Sequence, residues 1–129
     1  MIKFFSNYKI IFYSINISLI FLYLFPGSLI GKVLYGSKEI QPQITPDFII
    51  SSNHFYVFFI VSSIGFLSFI KPGQIRNLIF YLILLSIILE FLHMIIPERT
   101  FQLSDLFGNL VGVTVVIFIR NLIKKHGVY

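Results

Sequence analysis

Glu90 and His93 stand three residues apart in an otherwise apolar stretch, a spacing that puts both on one helix face. A carboxylate and an imidazole so placed can exchange a proton or hold a polar ligand. Arg99 follows, a planar fork of donors suited to carboxylate or phosphate. Asp105 and Asn109, four apart, share a second helix face, with Gly108 and Gly112 beside them in a spacing that lets two helix backbones approach closely. Upstream, His54 is alone among apolar neighbours.

Each of these has an ordinary explanation. Glu90 with Arg99 or His93 can be a packing staple, at about 0.6 kcal/mol per interhelical hydrogen bond. Ser104 can cap a helix whose first turn places Asp105 against the dipole. His54 can be a hydrogen-bonded interior residue, and Arg99 can hold lipid phosphate. Glu-x-x-His is also half of a di-iron constellation, but it occurs once and Arg99 would repel a cation, so no metal and no cofactor is expected. His126 reads as a solvated tail residue.

The elements that must position these groups follow from composition. The chain of 129 residues is 57% hydrophobic and only 12% charged, with a mean hydropathy of +0.90. A soluble domain carries about 25% charged residues, so a water-exposed shell is excluded. Disorder is excluded by the excess of apolar surface. The net charge of +5 suits anionic headgroups rather than nucleic acid. Cys is absent, which removes disulfides and thiolate metal sites.

Crossing a bilayer takes roughly 20 apolar residues, and four stretches qualify, at about 10–30, 48–70, 77–96 and 103–122. They predict an all-α, four-helix transmembrane bundle in a single domain. The first stretch exceeds a signal-peptide core and lacks an alanine cleavage site, so it is expected to stay uncleaved. Lys3, Lys9, Lys71, Arg76, Arg120, Lys124 and Lys125 fall on one side, against Lys32, Lys38 and Arg99 on the other. That bias predicts cytoplasmic N- and C-termini. His54, Glu90, His93, Arg99, Asp105 and Asn109 then share the outer half of the bundle, and an ionisable residue at such depth marks a functional site by default.

The run from Glu90 through His93, Pro97, Arg99, Asp105 and Asn109 to Gly112 resembles the C-terminal signature of the VanZ-like family. His54-Phe55 is similar to that family's upstream His-Phe element, so the likeness covers roughly residues 52–119. Ile50 and Ser51 stand where the family often has Asp-Lys, Phe58 where Tyr is common, and His93 where Gln is frequent. The resemblance implies a small multi-pass protein of the bacterial plasma membrane, from a family linked to glycopeptide (teicoplanin) resistance. The expected function, non-enzymatic or of undefined chemistry, is engagement of an envelope amphiphile or antibiotic lipid tail, with membrane lipids or a lipoglycopeptide as partner. Arg99 would hold an anionic headgroup, and His54, Glu90, His93, Asp105 and Asn109 would shape the pocket. The rivals are an enzyme acting on a lipid-linked phosphate or glycan, with Glu90 and His93 as acid and base, and a purely structural membrane partner.

Overall fold

The computed structural model describes residues 2–127, with side chains from Tyr8 onward. Lys3, part of the charge bias, lies outside the described side chains. The described residues form helices and no strands: α1 (Ile2–Leu24), α2 (Leu29–Tyr35), α3 (Ser52–Ser68), α4 (Pro72–Leu92) and α5 (Leu103–Lys125). The four long helices pack as one bundle in which α3 lies against α1, α4 and α5. Its core joins Phe12, Leu19 and Tyr23 of α1 to Phe58 and Val61 of α3, Leu82 and Leu89 of α4, and Val113 of α5.

By length and composition α4 and α5 can each cross a membrane, and α1 with α2 makes a third candidate if the pair is counted as one span. The burial pattern agrees with a lipid surround. Glu90, Asn109, Ser62 and Ser86 are fully buried, while Ile17, Phe21, Val33 and Phe80 are mostly exposed. Burying polar groups while presenting large apolar ones outward suits hydrocarbon and not water.

The helix limits correct the expected spans. The first helix stops at Leu24, because Pro26 and a positive-φ Gly27 break it, and α2 leaves at 83°. Ser28 caps α2 by accepting from the Gly31 N–H at 2.9 Å. The second helix begins at Ser52 rather than near residue 48, since the Asp47 carboxylate accepts the Ser52 N–H at 3.0 Å and holds the preceding residues in bends. At 17 residues α3 is about 25 Å long, shorter than a typical hydrocarbon core. The third helix starts five residues earlier than expected, with Pro72 in its first turn. It ends at Leu92, with His93 as its cap.

Chain direction alternates along the bundle. Lys9 lies 5.6 Å from the Phe69 ring and Arg120 5.7 Å from the Phe66 ring. The start of α1 and the end of α5 thus meet the α3–α4 turn. The opposite end gathers the end of α1, the start of α3, the end of α4 and the start of α5.

Candidate functional site

Two glycines set the spacing at that opposite end. A Cβ on Gly108 would lie 2.7 Å from the Ser51 carbonyl oxygen, and one on Gly112 2.7 Å from that of Phe55. Both neighbours are backbone and cannot yield, so α3 and α5 meet closely only because these positions are bare. The Ser51 N–H donates to the Ser104 carbonyl at 3.0 Å and ties the two helix starts together. Ser104 is therefore inside α5 and not its cap. That position belongs to Gln102, whose N–H donates to Glu90 Oε1 at 3.0 Å.

This close contact brings side chains from four helices together. Asn109 is fully buried, and its Nδ2 donates to the Ser86 carbonyl at 3.2 Å. That bond turns Oδ1 toward Tyr23 and His54. The Tyr23 hydroxyl donates to Asn109 Oδ1 at 2.8 Å and lies 2.7 Å from His54 Nδ1, which is itself 2.9 Å from Oδ1. An amide oxygen only accepts, so this triangle is satisfied when Nδ1 carries a hydrogen. The other ring nitrogen of His54, Nε2, faces Asp105 Oδ2 at 3.5 Å.

His93 is arranged in the same sense. Its Nε2 is 3.0 Å from the Tyr23 carbonyl, which can only accept, so Nε2 holds the hydrogen. Nδ1 then faces Glu90 Oε2 at 3.4 Å, and the His93 ring stacks on Tyr23 with centroids 5.5 Å apart. Glu90 Oε2 is buried and accepts no hydrogen bond.

Arg99 departs from its expected pairing. The ion pairs among the described residues are Lys38–Glu98, His54–Asp105 and His93–Glu90, and Arg99 is in none of them. Its Nε donates to the Phe25 carbonyl at 3.1 Å and its Nη2 to that of Leu22 at 2.9 Å. A helix leaves its last carbonyls without partners and carries partial negative charge there, so a guanidinium caps α1 well. Burial lowers the Arg99 pKa from its ordinary value, opposed by Tyr23, Glu90 and Asp105. Arg99 also lines a cleft.

That cleft has a volume of about 650 Å³. Ile15, Leu19 and Leu22 of α1 and Val57, Ile60 and Val61 of α3 form its apolar walls, and Lys38, His54, His93, Arg99 and Asp105 its polar head. Glu90 and Asn109 lie behind the head and do not line it. The loop before α3 forms part of the rim, held by Asn53 Nδ2 donating to the Pro42 carbonyl at 2.6 Å.

The structure thus brings together His54, Glu90, His93, Asp105 and Asn109, and sets Arg99 beside them on α1. Sequence reasoning missed Tyr23, which touches His54, Asn109 and His93. Its signal was depth: Tyr23 lies just before the Pro26 break, level with His54 at the start of α3. Compared with known protein families, curated proteins and solved structures, the chain matches none.

Proposed function

We propose that this chain is a four-span bacterial plasma-membrane protein of VanZ-like type, with cytoplasmic termini, whose cleft receives an envelope amphiphile. The observation that carries the reading is the lining of the cleft, apolar between α1 and α3 and polar at one end. A hydrocarbon tail suits the walls, and the anionic part of a headgroup suits Arg99. Lys38 is held by Glu98, while the carboxylates of Glu39, Asp47 and Asp105 on the same lining suit a cationic part. Binding of this kind would change envelope properties or the tolerance of a lipoglycopeptide. A second reading, catalysis on a lipid-linked phosphate, draws on the His54–Asp105 pair at the cleft head and the His93–Glu90 pair that reaches behind it, although no nucleophile stands among them.

Native mass spectrometry after incubation with vesicles tests the binding. The wild type should retain phospholipid from vesicles of phosphatidylglycerol and phosphatidylcholine, and Ser18→Trp, at an exposed position on the cleft wall, should lose that retention. Equal retention by both proteins would overturn the reading. Single cysteines at Ser37 and Gly73 should label from opposite sides of the membrane, and labelling from one side would remove the four-span topology.

A further inference from the structure

The groups at the cleft head share a property that amphiphile binding does not use: with the imidazoles neutral and the carboxylates ionised, they turn lone pairs, not hydrogens, toward one another. His54 commits Nδ1–H to the Tyr23 and Asn109 oxygens, which leaves the Nε2 lone pair facing Asp105 Oδ2 at 3.5 Å. His93 commits Nε2–H to the Tyr23 carbonyl, which leaves the Nδ1 lone pair facing Glu90. One ligand atom each from His54, Glu90 and Asp105 lies within 4.8 Å of the others. Glu90 is fully buried, and its Oε2 accepts no hydrogen bond. Two carboxylates and an imidazole lone pair converging in a poorly hydrated place repel one another unless something positive lies between them.

We propose that His54 Nε2 and one carboxylate oxygen each from Glu90 and Asp105 bind a divalent transition-metal ion of the Zn²⁺ class. The His54–Asp105 spacing fits such an ion, and the Glu90 oxygen, within 4.8 Å of both, would draw in on binding. Neighbouring ligands of a tetrahedral centre with bonds of about 2.0 Å stand about 3.3 Å apart, close to the His54–Asp105 separation. The donor set fits as well, since imidazole favours Zn²⁺ and its neighbours over Mg²⁺. A metal-bound histidine usually donates its other ring N–H to a fixed oxygen, as His54 does to Asn109. A divalent charge also balances Glu90 and Asp105, which Arg99 does not pair.

This site replaces the Glu90–His93 pair as the metal-binding candidate. The sequence argued against a metal because one Glu-x-x-His is too few ligands and Arg99 is near. The fold supplies ligands from α3, α4 and α5 and ties Arg99 to the carbonyls of α1. His54 and Asp105 border the cleft, so an ion has a path in and a face open to a further ligand. The proposal stands whether or not an amphiphile fills the cleft.

The test uses the full chain, purified in detergent through a tag without histidine, stripped with a chelator and titrated with Co²⁺. A visible absorption band should saturate at one Co²⁺ per chain, disappear on adding Zn²⁺ and withstand excess Mg²⁺. His54→Gln and Asp105→Asn should each weaken Zn²⁺ binding by about 100-fold or more, beyond the loss usual for an outer-shell change. His126→Gln, in the tail, should leave binding unchanged. Absence of a saturable band in the wild type would overturn the proposal. Displacement of Co²⁺ by Mg²⁺ would overturn the metal class, and an equal loss in His126→Gln would overturn the ligand assignment. The wild-type titration decides by itself if a variant does not fold.

Discussion

The two ends of the bundle carry positive charge in different ways. Around the α3–α4 turn, Lys71 and Arg76 are exposed, and Lys9 and Arg120 rest over the Phe69 and Phe66 rings. At the other end Arg99 is drawn into the protein and spends two N–H groups on the carbonyls of α1. The carboxylates divide likewise. Glu90 and Asp105 stand within the bundle at the His54 end, and neither Asp nor Glu occurs among residues 65–80 around the turn. Charge at the turn end can meet water or headgroups, and its contribution to the fold is small. Charge at the His54 end is surrounded by fixed partners, and moving any of them disturbs several others.

The same contrast holds for glycines, and it gives the largest expected effect. Gly112→Ala puts a methyl group 2.7 Å from the Phe55 carbonyl and 3.0 Å from the Phe59 nitrogen, so α3 and α5 must separate. Overpacking of this kind costs about 1–3 kcal/mol. Gly73→Ala, in the first turn of α4 with nothing near its Cβ, should change stability little or raise it by about 0.5 kcal/mol. Thermal unfolding in detergent measures both. Equal effects would mean that the close α3–α5 approach is not what holds the polar end together.

Arginine gives the next contrast. Arg99→Gln removes two charge-assisted bonds from the end of α1 and should cost about 2 kcal/mol. Arg76→Gln, at an exposed site on α4, should stay within about 0.5 kcal/mol. Arg99→Lys keeps the charge but cannot reach two carbonyls with one planar fork, so it should fall between them. In a host where the wild type raises lipoglycopeptide tolerance, Arg99→Lys should accumulate in the membrane and lose that phenotype. Retained tolerance would reduce Arg99 to a helix cap.

Glu90→Gln separates packing from charge. It keeps an oxygen for the Gln102 N–H and a second polar end toward His93, so stability should change by less than about 1 kcal/mol. It removes one carboxylate from the proposed metal set and should weaken Zn²⁺ binding by about 100-fold or more, as Asp105→Asn should. A large loss of stability with unchanged metal binding would assign Glu90 to packing alone.

The all-helical bundle was legible from apolar run length, because hydrocarbon leaves the backbone few alternatives. The helix limits were less so. Residues 48–51 are as apolar as a helix needs, yet Asp47 caps Ser52 and keeps them out. The grouping of His54, Glu90, His93, Asp105 and Asn109 was visible as shared depth along antiparallel helices, and Gly108 and Gly112 marked the close pair. The partner of Arg99 was not visible, because the carbonyls of Leu22 and Phe25 become available only where Pro26 ends α1. Ring orientation was hidden too, since the hydrogen on each histidine depends on a carbonyl or amide from a distant segment.

Tyr23 tests that last dependence and carries the smallest of these effects. Tyr23→Phe deletes one hydroxyl but keeps the ring that stacks on His93 and packs edge-on against His54. Asn109 Oδ1 then loses one donor and keeps His54 Nδ1–H at 2.9 Å, so the hydrogen stays on the same nitrogen. The cost should be about 1 kcal/mol, the usual net value of one hydrogen bond. Tyr13→Phe, on the exposed side of α1 toward the turn end, should cost less than half of that. Because Nε2 of His54 still presents its lone pair, Zn²⁺ affinity in Tyr23→Phe should fall by less than about tenfold, the lower limit for losing an outer-shell partner. A drop as large as that of His54→Gln would show that the tyrosine hydroxyl, and not the Asn109 amide, fixes which ring nitrogen faces the carboxylates.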